Sequence, residues 1–202
     1  MIQVAIPQNN LTLELPQSIA LQVTYEQFEA LAIANRDLRL ERTSQGELIV
    51  NPPVGWESSR RNSSLTGQLY YWHEANEELG NAYDSSGGFT LPSGAIRSPD
   101  ASWVSRQRWD ALTPEQRRTF PQICPDFVVE LRSGSDSLPA LQAKMREYLE
   151  NGARLGWLIN PQNRRVEIYR PGTEVEVLEN PAALSGEDVL PGFVLNLQKL
   201  WG

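Results

Sequence analysis

Sulfur and imidazole are almost missing from this sequence: among 202 residues there is one cysteine, Cys124, and one histidine, His73. A single cysteine excludes an intramolecular disulfide and fits a reducing compartment, so a cytoplasmic location is expected. One Cys and one His exclude a zinc finger or a His-rich metal centre, and they leave a Ser-His-Asp triad improbable. Any metal site must therefore be built from carboxylates, which favour Mg²⁺, Mn²⁺ or Ca²⁺. Long apolar runs are also missing; none approaches the roughly 20 residues that span a bilayer. The opening MIQVAIPQNNLTLELP has no basic segment followed by a long apolar one, so no secretory leader and no membrane partner are expected. Positive charge is scarce, with 18 Lys and Arg against 25 Asp and Glu, a net charge of -7. That balance disfavours a polyanionic partner in general, although binding depends on local patches. The pairs Arg60/Arg61, Arg106/Arg108, Arg117/Arg118 and Arg164/Arg165 read first as solvated surface.

What is present is the composition of an ordinary folded protein, 40% hydrophobic and 21% charged, long enough for one domain with a substantial core. Residues 1–23, broken at Pro7 and Pro16, read as a loosely attached arm, and 24–202 as one domain. Thr24 reads as the N-cap of a helix over about 25–34. LRLER and GELIV alternate on either side of Thr43–Gly46 and predict a hairpin at about 38–42 and 46–50. After Asn51-Pro52-Pro53, a helix is expected over about 56–79, with an apolar stripe of Leu65, Leu69, Trp72 and Leu79. Its polar start (Ser58, Arg61, Asn62) faces solvent or a cleft, and Gly80 closes it. Short strands follow at about 81–84, 88–91 and 100–104, and Thr113-Pro114-Glu115 reads as a helix start. FVVEL at 127–131 is the clearest buried strand. A helix over about 138–151, capped by Ser137 and ended by Asn151-Gly152, leads to a second buried strand, RLGWLIN. RRVEIYR and EVEVLE read as a hairpin at the far side of the sheet. The order implies an α/β (α+β) fold, a mixed sheet flanked by helices.

The chemistry gathers on acids. Ser98-Pro99-Asp100 opens a strand, and Glu130 sits inside FVVEL, where a charge is costly unless paired or metal-bound. Alternation puts Val128, Glu130 and Arg132 on one face. If Asp100 lies beside Glu130, a divalent cation would relieve their repulsion, activate water and clamp a phosphate oxygen. The plain alternative is an ion pair of Glu130 or Asp100 with an arginine. Lys144 borders the buried face formed by Leu138, Leu141, Met145 and Tyr148; it either reaches Glu130 or snorkels to solvent. Gln142, on the other border, is a weaker candidate. Asp126 falls at even spacing from Glu130, as a further ligand or, more plainly, a turn former after Pro125. His73 and the aromatics Tyr70, Tyr71 and Trp72 read as packing rather than base or stacking residues.

SPDASWVS, followed by PDFVVELRSGSDSLPALQAKMREYLENGARLGWLINPQNRRVEIYRPG, resembles the Uma family of restriction-endonuclease-like proteins, within the PD-(D/E)xK nuclease superfamily. The likeness spans about residues 24–195, and 125–171 is its most specific part. LRLERTSQGELIVNPP resembles the family's glutamate-containing hairpin. The resemblance implies a restriction-endonuclease-like fold and a Mg²⁺-dependent (or Mn²⁺-dependent) endonuclease hydrolysing phosphodiester bonds of DNA. It implies Asp100 and Glu130 as metal-binding acids, Glu41 as an accessory ligand, and a homodimer. The sequence departs from the superfamily where lysine is usual: Arg132 stands there, a permanent cation and poor proton acceptor, which leaves Lys144 or Arg132 to neutralise the scissile phosphate. Two other functions stay open: a catalytically silent binding or assembly module, and a hydrolase of a smaller phosphodiester.

Overall fold

Phe127–Leu131, buried along its whole length, sits inside a six-stranded sheet, and the two faces of that strand define the two layers that cover it. The computed structural model describes residues 20–201 in full and the backbone of 2–6 and 9–13. The chain begins with an antiparallel pair, β1 (Ile2–Ile6) and β2 (Asn9–Leu13); the rest of the expected arm up to residue 19 lies outside the described residues. Residues 21–23 are tied to the next hairpin through Val23 N–H to Gly46 O and Leu48 N–H to Leu21 O. Helix α1 (Tyr25–Ala34) starts at Thr24, whose hydroxyl accepts from the Gln27 amide while the Gln27 side chain accepts from the Thr24 amide, a reciprocal capping box. The hairpin β3 (Arg39–Arg42) and β4 (Leu48–Asn51) follows.

Helix α2 covers Trp56–Glu74, shorter than the stretch to 79 expected from its stripe. Asn76 folds back on it, its side chain donating to the Trp72 carbonyl, and a single 3-10 turn spans Glu77–Leu79. Gly80 opens β5 (Gly80–Asp84) rather than closing the helix; a Cβ there would overlap the Val104 carbonyl oxygen, so the close approach of two strands requires glycine. Strands β6 (Phe89–Thr90), β7 (Ile96–Arg97) and β8 (Ala101–Ser105) lead into the short α3 (Arg106–Asp110). The expected helix at Thr113 is only a turn. The capping pair of Thr113 and Gln116 forms, but Thr119 leaves the right-handed region at φ 23° and the chain turns back. Strand β9 (Phe127–Leu131), helix α4 (Leu138–Glu150), β10 (Leu155–Asn160), β11 (Arg165–Tyr169) and β12 (Glu176–Glu179) match the expected order. The C-terminal hairpin β13 (Ala183–Ser185) and β14 (Val194–Asn196) and the short α5 (Gln198–Trp201) were not foreseen.

The main sheet runs β12-β11-β10-β9-β8-β5, and a smaller one β4-β3-β7-β6. Within the main sheet β9 and β10 are parallel and the other pairs antiparallel, so the sheet is mixed, as the element order implied. Phe127, Val129 and Leu131 face Leu65, Leu69 and Trp72 of α2 together with Leu190, Phe193, Leu195 and Leu200 of the C-terminal segment. Val128 faces the other way, toward Met145 and Tyr148 of α4. Glu130 shares that second face by alternation, so α4 lies over the one acid in the central strand. None of the described helices is long and apolar enough to cross a membrane.

Candidate active site

Strand pairing brings the two expected acids together. In the antiparallel β8–β9 ladder Ala101 stands opposite Val129, and one step further places Asp100 beside Glu130. Asp100 Oδ2 accepts the Leu131 amide at 2.8 Å, and its Oδ1 accepts Arg39 Nη1 at 3.0 Å. Arg39 Nη2 is anchored on the Ser98 carbonyl at 2.6 Å. Across the sheet, Lys144 and Tyr148 lie one turn apart on α4. The Tyr148 hydroxyl donates to Glu130 Oε1 at 3.0 Å, and Lys144 Nζ lies 2.8 Å from the same oxygen. Lys144 Nζ also donates to Glu41 Oε1 at 2.8 Å. Glu41, from β3, further accepts the Ser98 amide at 3.2 Å and Arg97 Nη1 at 3.3 Å. Arg97 Nε continues the chain to Glu147 at 2.6 Å.

Four acids (Glu41, Asp100, Glu130, Glu147) therefore meet three bases (Arg39, Arg97, Lys144) in a largely dry setting. When all are ionised the cluster carries one excess negative charge. Burial pushes the Glu130 carboxyl up to about 7, with Asp100 and Glu41 adding to the rise and Lys144 opposing it. Burial also acts to raise Glu41, but the Lys144 ammonium, with Arg97 and Arg39, outweighs it and holds that carboxyl below its ordinary range. For Lys144 burial would remove the proton, yet Glu130 and Glu41 overcome it and hold the ammonium above its usual value. Burial, then the negative charge of Glu130, raises the Tyr148 hydroxyl well above 10, so it serves as a donor.

Asp100, Glu130 and Lys144 line a cavity of about 520 Å³, walled by Arg39, by Ser58 and Asn62 of α2 and by the Ser133–Asp136 loop. The polar start of α2 thus faces a cleft. Among the described residues no three Asp, Glu, His or Cys side chains converge on a ready metal cage, and Lys144 Nζ stands between Glu41 and Glu130, pairing with both. The pair Asp100 and Glu130 still suits a hard divalent cation: both are oxygen donors, Glu130 is destabilised as an anion, and its Oε2 accepts no hydrogen bond among the described residues while Oε1 accepts one from Tyr148.

The other expected residues fall elsewhere. Arg132 follows the end of β9; its Nε donates to the Asp136 carbonyl at 3.2 Å, which braces the cavity loop. Asp126 is fully buried and accepts the Ser105 amide at 2.8 Å, with Arg108 at 3.1 Å. Gln142 donates to both oxygens of Glu167, at 2.9 and 3.0 Å. His73 packs on Tyr70 with ring centroids 5.7 Å apart. Of the basic pairs, Arg60 and Arg61 bind Glu57, Arg117 reaches Asp110 and Arg165 reaches Glu179; none of these four lines the cavity. Sequence reasoning passed over Arg39 and Arg97 and took Tyr148 for packing alone. Arg39 stands two positions before Glu41, so strand alternation already placed it on the Glu41 side.

A family model described as "Uma2: Putative restriction endonuclease" matches residues 25–198. Among solved structures, a "putative nuclease belonging to DUF820" from Anabaena variabilis superposes with a TM-score of 0.69 at 21% sequence identity, covering 80% of this chain and 89% of that one. None of the curated proteins matches.

Proposed function

This chain belongs to the Uma2 family, and from that premise we propose that it is a nuclease hydrolysing phosphodiester bonds of DNA with a divalent cation, Mg²⁺ or Mn²⁺, held by Asp100 and Glu130. The observation that carries the reading is the meeting of two buried carboxylates, 7% and 3% exposed, on the wall of one polar cavity with an ammonium beside them. A bound cation would supply Lewis acidity, making water a better nucleophile and offsetting phosphate charge. The protein's part is to hold the donors still. The Leu131 amide fixes Asp100 and the Tyr148 hydroxyl fixes Glu130, the outer support that metal-binding carboxylates use. Lys144 is the group that neutralises the scissile phosphate, and Glu41 aims it. Glu41 acts through Lys144, since both of its oxygens already accept hydrogen bonds. Arg132 braces the loop at the cavity wall. The single buried thiol, Cys124, accords with a reducing cytoplasm.

The test is cleavage of plasmid and single-stranded DNA with Mg²⁺ or Mn²⁺ by the wild type, Asp100→Ala and Glu130→Ala, with folding checked in each. Loss of cleavage in both folded variants is expected. Undiminished cleavage by them would sink the assignment. One observation favours a second reading, a catalytically silent module: Arg39 and Lys144 already pair with Asp100 and Glu130. Calorimetry separates the two, because a silent module shows neither metal binding nor cleavage. A steep fall in DNA affinity with salt marks a polyanion substrate, and a flat dependence a smaller phosphodiester.

A further inference from the structure

The outward face of α2 carries a pattern that no contact among the described residues explains. Trp56 and Tyr71 are 79% and 80% exposed, and Tyr70 is 53% exposed. They share the face with Arg60, Ser63, Gly67 and Glu74, all exposed, at the three- and four-residue spacing of one helix stripe. Gly67 is in the middle of the helix, where glycine costs stability relative to alanine. A Cβ at Gly67 would meet nothing within 4 Å, so the glycine serves no contact among the described residues.

We infer that this face is the seam of a homodimer in which two α2 helices pack antiparallel across a twofold axis at Gly67. The spacing is self-complementary about that residue. Position 60 falls opposite 74, 63 opposite 71, and 64 opposite 70. Each tyrosine therefore lies over a serine, and the glycine lets the two backbones approach. Arg60 of one copy meets Glu74 of the other, twice over by symmetry, as an isologous interface requires. Charge favours the pairing at its ends: the amino-terminal end offers Arg60 with Lys199 close by, bonded through its carbonyl, and the carboxy-terminal end offers Glu74, Glu77 and Glu78, while Glu57, which falls opposite Glu77, is covered by Arg60 and Arg61 of its own chain. Among the described residues Arg60 has only Glu57 as a charged partner, 2.8 Å away and exposed, a contact of small value. A groove of about 630 Å³ flanks the stripe between Gly67, Tyr71 and Val194, with room for an incoming tyrosine ring. Three aromatics from each copy cover on the order of 1,000 Å² in total, where specific association becomes possible. This inference rests on the helix face alone and holds whether or not the carboxylate cavity cleaves DNA.

The experiment is light scattering and sedimentation of the full chain over about a hundredfold range of concentration, with cysteine and charge variants. The wild type is expected to be a dimer. Gly67→Cys, which has space in the fold, is expected to form a disulfide-linked dimer on mild oxidation, and Glu174→Cys, on an exposed turn, is not. Arg60→Glu is expected to weaken the dimer about tenfold or more, and Arg60→Glu with Glu74→Arg to restore it. A monomer at every concentration overturns the inference. So does a dimer that ignores the charge swap and leaves Gly67→Cys uncrosslinked, because it would be built on another face.

Discussion

Lys144 Nζ stands 2.8 Å from Glu130 Oε1 and 2.8 Å from Glu41 Oε1, one ammonium shared by two buried carboxylates. Removing a buried charge strands its partners, at a cost of about 3–5 kcal/mol. Lys144→Met keeps the packing volume and removes the charge, so urea unfolding of that variant is expected to show a loss of this size. Adding Glu41→Gln should recover part of it, because the two residues act as a unit. A loss below about 1 kcal/mol would mean that solvent screens the cluster.

The Glu130 carboxyl makes the metal-free protein sensitive to pH. Its folded value, about 7, lies above the ordinary 4.5, so the folded state binds the proton more tightly than the unfolded one. Its stabilising contribution is complete below about 4.5 and is lost as pH rises through about 7, up to roughly 3 kcal/mol in all. Glu41, with a lowered value, acts in a different window: its contribution is present above 4.5 and lost as pH falls below it. Unfolding in the presence of a chelator is therefore expected to show wild-type stability declining from pH 4.5 to 7 relative to Glu130→Gln. Saturating Mg²⁺, binding the folded anionic form, should flatten the decline. Parallel wild-type and Glu130→Gln curves would remove the burial argument.

Much of this arrangement was readable from local pattern. The apolar run of β9 announced a central strand, and the one acid within it announced the site, because burial and charge conflict there. The stripe Leu141, Met145, Tyr148 oriented α4 and put Lys144 at its border. The unread parts depend on long-range pairing. Strands β7, β13 and β14 have two or three residues each, too few to display a period of two. Gly80 illustrates the opposite error. A glycine after a helical stripe reads as a C-cap, whereas its actual role is contact with a strand distant in sequence.

On the proposed reading, Arg39 would compete with the cation for Asp100. Its Nη1 occupies Oδ1 at 3.0 Å while the Leu131 amide holds Oδ2. Arg39→Met is expected to raise divalent-ion affinity about tenfold in calorimetry and to lower stability by about 1–2 kcal/mol. A fall in affinity would mean that Arg39 orients Asp100 for the ion instead of shielding it.

Asp126 offers the contrast that separates fold from chemistry. It lies on the approach to β9, four residues before Glu130, and is as buried as Asp100 or more so. Its Oδ2 accepts the Ser105 amide, where β8 passes into α3, and its backbone carbonyl accepts the amides of Arg154 and Leu155 at the start of β10. Three segments thus meet on one residue outside the cavity. Asp126→Asn preserves the shape and removes the charge facing Arg108 at 3.1 Å. It is expected to cost about 1–3 kcal/mol in denaturant unfolding. Metal affinity and cleavage per folded molecule should remain unchanged, unlike in Asp100→Asn. Loss of metal affinity in folded Asp126→Asn would bring Asp126 into the ion's coordination and force the site to be redrawn.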